Sequence, residues 1–150
     1  MKFCIDYNEY LGQKQVVYRK DEYSLDTNPY VHEIDFDIAI NTVTLAVVDE
    51  NVIQLNGFCG LSKGIETLYD VPKARKGLLK VLHPEVYISK AGSSTISDGN
   101  WAIFINPKTN WICIGNPQNQ AGAVEFIDNC IAVIDEKQEL VALWLYPYFV

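Results

Sequence analysis

The chain has 150 residues, of which 49% are hydrophobic and 21% charged, with a formal net charge of −7. A chain of this length fits one domain over residues 1–150 and buries about 70% of its unfolded surface, so it needs neither a disulfide nor a metal to hold a core. This composition excludes a disordered chain, and the acidic balance excludes function through non-specific attraction to nucleic acid or to an anionic membrane.

The charge is unevenly placed. Residues 1–58 carry 4 basic and 10 acidic groups, residues 59–92 carry 6 and 3, and residues 93–150 carry 2 and 6. No secretory leader is visible at the start, and no run reaches the roughly 20 apolar residues that span a bilayer. The four cysteines, Cys4, Cys59, Cys113 and Cys130, are widely spaced without a C-x-x-C pair. They read as reduced core residues, and the cytoplasm is the expected compartment.

In chain order, residues 3–10 and 15–19 read as two short strands, or one strand interrupted at Gly12. Residues 21–30 form a polar, tyrosine-bearing connection with a turn at Asn28-Pro29. Residues 33–40, Glu-Ile-Asp-Phe-Asp-Ile-Ala-Ile, alternate strictly. Side chains alternate faces along a strand, so Ile34, Phe36, Ile38 and Ile40 bury one face while Glu33, Asp35 and Asp37 stay in water at intervals of about 7 Å. Residues 42–48 and 51–55 flank Asp49-Glu50 and predict a hairpin.

Residues 57–92 are broken by glycines and prolines. Residues 62–69 are expected to form a short helix capped by Ser62, residues 76–82 a strand or a helical turn, and the basic groups Lys73, Arg75, Lys76 and Lys80 cluster here. Residues 92–100 read as a Gly/Ser/Asp loop. Residues 101–105 and 111–114 predict a second hairpin around Asn106-Pro107, with residues 116–122 a further loop. The final stretch reads as a third hairpin, residues 130–134 with 140–146, preceded by a strand over 124–128. A helix over 121–134 is the competing reading, because Val124, Ile127, Ile131 and Ile134 also fall at helical spacing. The expected fold is therefore α+β or mostly β, an antiparallel sheet of hairpins with one or two short helices.

No motif identifies a reaction. His32 and His83 are far apart and neither sits beside a cysteine, so no metal site is expected. No glycine-rich phosphate loop or dinucleotide fingerprint occurs, so no cofactor is expected. Cys59, between Phe58 and Gly60, is the one thiol whose surroundings suit exposure, although a small buried residue after a strand is the simpler reading. The hydroxyls of residues 93–95 lack a nucleophile elbow. The carboxylate row Glu33, Asp35 and Asp37 suits a cation, acid–base work, a partner, or simply a solvated face that discourages edge pairing. Trp101, Trp111 and Trp144 fall on predicted strands and read as packing.

Three functions compete. The first is a non-enzymatic domain that binds a basic protein through Glu33, Asp35, Asp37, Asp21, Glu22, Asp49 and Glu50, with Tyr23 and Tyr30 as contact residues. In size and charge the chain resembles the small acidic immunity proteins of bacteria, and that likeness implies an inhibitor neutralising a basic nuclease toxin. It covers overall character and supplies no motif. The second is a small enzyme using carboxylates, or Cys59 with a histidine. The third is a structural module, a homodimer joined through the last hairpin and Tyr148-Phe149.

Overall fold

The computed structural model describes residues 1–12, 14–61, 64–88 and 93–150. Among these residues the chain is mostly β, arranged as two mixed sheets packed face to face. The first sheet contains β1 (Phe3–Asp6), β2 (Gln15–Arg19), β3 (Ser24–Asn28), β4 (Phe36–Ile40), β5 (Val43–Val48) and β6 (Asn51–Phe58). The chain then gives β7 (Ile65–Glu66) and β8 (Arg75–Lys76) to the second sheet, and β9 (Leu78–Val81) to the first. A single short helix, α1 (Glu85–Ile88), leads to β10 (Ser93–Ser97), again in the first sheet. The second sheet is completed by β11 (Ile103–Ile105), β12 (Ile112–Gly115), β13 (Ala123–Ile127), β14 (Cys130–Ile134) and β15 (Leu140–Leu145), and β16 (Tyr148–Phe149) returns to the first.

The strand order is β10-β4-β5-β6-β3-β2-β16 in the first sheet, with β9 joining β1 to β6, and β7-β11-β12-β15-β14-β13-β8 in the second. Three expected hairpins are present: β5 with β6, β11 with β12, and β14 with β15. The sheets are not purely antiparallel. β10, β7, β8 and β16 pair in parallel with β4, β11, β13 and β2. All four lie at sheet margins, brought there by connections that cross the molecule rather than by tight turns.

Alternation builds the core. Phe36, Ile38, Ile40, Val43, Leu45, Val47 and Leu55 of the first sheet meet Ile112, Ile114, Phe126, Leu143 and Leu145 of the second, all buried. At about 25 cal/mol per Å² of apolar surface removed from water, this layer is the main source of stability. A second cluster, Cys113, Ile131, Val133, Ala142 and Trp144, lies on the outer face of the second sheet. It is covered by a strap, residues 67–74, whose Val71 and Ala74 pack on it. The strap leaves β7 at one margin and reaches β8 at the other. Crossing six inter-strand gaps takes about 29 Å, and nine residue steps of extended chain supply about 30 Å. The strap is therefore nearly fully extended.

Several expectations need correction. The acidic ribbon becomes a regular strand only at Phe36, because residues 29–34 cross the outer face of the first sheet from β3 to β4. There Val31 N–H donates to Gln54 Oε1 at 2.8 Å and Gln54 Nε2 donates to the Val31 carbonyl at 2.7 Å. The side-chain amide thus satisfies a segment that has no strand neighbour. The polar connection over 21–30 contains β3. Its backbone ladder to β6 covers only Ser24 and Leu25, and buried Thr27 extends the junction through its hydroxyl. The helix expected over 62–69 is not formed at Ile65–Glu66, which pair with β11; Ser62 lies outside the described residues. A Cβ on Gly64 would sit 2.6 Å from Ile105 Cδ1, so a larger residue there would push the Ile105 side chain aside. Residues 76–82 are strand rather than helical turn, and residues 93–97 of the expected loop are β10. The competing helix over 121–134 is overturned by β13 and β14. Among the described residues no helix is long and apolar enough to cross a membrane.

Candidate functional site

The acidic residues divide into two groups. Phe36 pairs with Val47, which brings Asp35 beside the β5–β6 turn, where its Oδ2 accepts the Asp49 backbone N–H at 2.8 Å. Glu33, Asp35, Asp37, Asp49 and Glu50 therefore gather at one end of the first sheet. Asp21, Glu22 and Tyr23 occupy the β2–β3 turn, next to Phe58 at the far end of β6. Eight residues of β6 separate the two ends by about 24 Å, so the nine expected site residues do not form one patch. Tyr30 lies on the strap of the first sheet, its hydroxyl accepting from Asn56 Nδ2 at 3.0 Å and its ring edge-on to His32.

At the Asp35 end, Glu33, Asp35 and Asp49 are exposed and Asp37 is half-buried. Burial raises the Asp37 carboxyl above its ordinary value. Among the described residues only Glu50 is neutralised there, by Lys80 Nζ at 3.1 Å. Among the described residues Glu33, Asp35, Asp37 and Asp49 have no ion-pair partner. Asp35 and Asp37 also fail to form the expected row with Glu33, since Glu33 belongs to the crossing segment. The described residues contain no group of three or more metal-ligating side chains.

The thiols are packing residues. Cys59, Cys113 and Cys130 are buried. Burial pushes Cys59 up to about 11 and Cys113 up to about 12, and raises Cys130 strongly, so all three are protonated near neutrality. The elements of the expected dimer seam lie apart, and Tyr148 is exposed. β14 and β15 lie inside the second sheet beneath the strap, while β16 alone borders the first sheet, with Phe149 edge-on to Tyr18.

Two concave regions carry polar groups that were not singled out in the sequence. One, of about 390 Å³, is lined by Lys14, Gln15, Asp128, Asn129, Tyr146 and Tyr148. Its centre is a clasp between the sheets: Gln15 bridges Asp128, the Tyr10 hydroxyl donates to the Asp128 carboxylate, and Lys76 stands 3.8 Å from it. Asp128 is satisfied by these partners and reads as a joint. The other, of about 590 Å³, lies between the strap of the second sheet and residues 100–104 and 115–118. Its signal in the sequence was the amide-rich run Asn116 to Gln120, which reads simply as a loop when taken alone. No protein family matches this chain, and no curated protein is similar to it in sequence. The fold and the acidic margin together describe a two-sheet β domain with one strongly anionic end.

Proposed function

We propose that the protein is a non-enzymatic binding domain whose anionic end receives a basic protein, in the manner of an inhibitor that neutralises a basic toxin or nuclease. The observation that carries this reading is the convergence of Glu33, Asp35, Asp37 and Asp49 without a cationic partner among the described residues. Like charges without a cationic partner among the described residues cost self-repulsion in the free protein, and a cationic surface relieves it. Their exposure favours fast encounter, while Tyr30, held at Asn56, lies toward the other end of β6. Asp21, Glu22 and Tyr23 stand too far away to share a small footprint, so the proposed surface is confined to the Asp35 end.

The test is capture from bacterial lysate on immobilised wild-type protein and on the triple variant Glu33→Gln, Asp35→Asn, Asp49→Asn. Asn at position 35 keeps an acceptor for the Asp49 N–H, so the turn survives while the charge is removed. A basic protein should bind the wild type, elute as salt rises, and bind the variant at least tenfold more weakly. Equal capture by both proteins removes the acidic end from the explanation.

A further inference from the structure

The groove beside the strap of the second sheet is the most chemically specific concavity in the molecule. Tyr69 and Thr67 come from the strap, Asn100, Trp101 and Phe104 from the approach to and body of β11, and Asn116, Pro117 and Gln118 from the connection after β12. None of its lining residues carries a charge at neutral pH. Aromatic faces and primary amides dominate it. From this lining we infer that the groove binds a neutral carbohydrate of about disaccharide size, independently of the anionic end.

The chemistry is complementary. A pyranose presents an apolar C–H face that packs on the electron-rich face of an aromatic ring, and its hydroxyls need donors and acceptors around the rim. Trp101, Tyr69 and Phe104 supply the rings. Asn100 is held against Ser97 Oγ at 2.6 Å, and Asn116 Oδ1 accepts from the Gln118 backbone N–H at 3.0 Å. The second bond fixes Asn116 and leaves its Nδ2 group without a partner among the described residues. Gln118 adds an amide whose side chain is likewise unpartnered among them. An ionic ligand would lose hydration here without meeting a counter-charge, whereas a neutral polyol would not. The volume, about 590 Å³, lies within the range of small-molecule sites.

The groove is also held in shape. Asn41 clamps the Trp101 backbone, its Nδ2 donating to the carbonyl at 2.8 Å and its Oδ1 accepting from the N–H at 3.2 Å. Gly115 has φ 115°, and a Cβ there would lie 3.0 Å from Trp101 Cε3, so glycine allows the indole to rest on the strand. Asn106 Nδ2 donates to the Tyr69 carbonyl at 3.0 Å, and Gln120 Nε2 donates to the Asp70 carbonyl at 3.0 Å, tying the strap down on both sides. A preformed wall reduces the ordering cost of binding.

The experiment is a titration of the full chain with maltose, cellobiose, lactose and N,N′-diacetylchitobiose, followed by tryptophan fluorescence and by the indole and side-chain amide resonances. At least one sugar should saturate the Trp101 indole and the Asn116 and Gln118 amides while leaving Trp144 unmoved. Asn116→Ala should weaken that sugar about fivefold to tenfold. Trp101→Ala should abolish binding; the exposed Tyr69→Ala, which leaves the core intact, should weaken it too. The charge-neutralised triple variant should bind the sugar like the wild type, which separates this site from the proposed docking surface. The inference is overturned if none of the four sugars gives a saturable change, if Tyr69→Ala and Asn116→Ala bind undiminished, or if a proline-rich peptide moves the same resonances and the sugars do not.

Discussion

Thr27 shows how a single polar atom can finish a sheet. Its hydroxyl donates to the Leu55 carbonyl at 2.7 Å and accepts the Leu55 N–H at 3.0 Å, fully buried where the β3–β6 ladder has ended. Thr27→Val keeps the shape and removes both bonds. Leaving a buried donor and acceptor unpaired should cost about 3 kcal/mol, read as a lower urea midpoint with an unchanged slope. This residue also explains why β3 was hidden in the sequence. Asp26 and Asn28 are poor strand formers, and although the ladder to β2 runs through them, the tie to β6 is made by the Thr27 side chain over a separation of 28 positions. Phe36, Ile38 and Ile40, by contrast, announce their burial through alternation alone.

At the scale of elements, the β5–β6 hairpin carries a local misfit. Asp49 and Glu50 have φ of 49° and 65°, the left-handed pair that matches the twist of a two-residue hairpin. Aspartate tolerates this region; glutamate does not favour it. Glu50→Gly should raise stability by about 1 kcal/mol, seen as a higher melting temperature, because the exposed ion pair with Lys80 that it forfeits is screened by solvent. The hairpins were legible in the sequence because their turns and their alternation are local. The parallel margin strands were not. β7 and β8 are two residues each, and nothing in Ile65-Glu66 or Arg75-Lys76 signals which neighbour they will meet. The acidic ribbon was half legible: Phe36 and Ile38 are buried as the pattern demands, while Glu33 belongs to a crossing segment whose position is set by Gln54. The amide groove showed only as the run Asn116 to Gln120, since its walls come from stretches far apart in the chain.

For the whole molecule, the interior thiols set an alkaline limit. In the unfolded chain they ionise near 9.0, but in the fold burial holds Cys59 at about 11 and Cys113 at about 12, and also raises Cys130 strongly. A raised folded value means that the native state retains protons that the unfolded chain has released. Stability is therefore complete below about pH 9 and declines as pH climbs toward the folded values. Each thiol contributes a slope of at most about 1.4 kcal/mol per pH unit. Melting temperatures measured from about pH 7 to about pH 11 should stay level and then drop. The descent should be shallower in Cys113→Ala and Cys130→Ala, even though both start lower because of the cavities they leave. An unchanged slope in both variants would assign the alkaline loss to other groups.

The taut crossing segment also makes protection of the second sheet all-or-none. One stretch of chain seals both rims and roofs the indole of Trp144, so detaching it anywhere would bare two sticky borders and a greasy plateau at once. Clumping under mild heat should then begin with release of this belt, ahead of any melting of the strands beneath it.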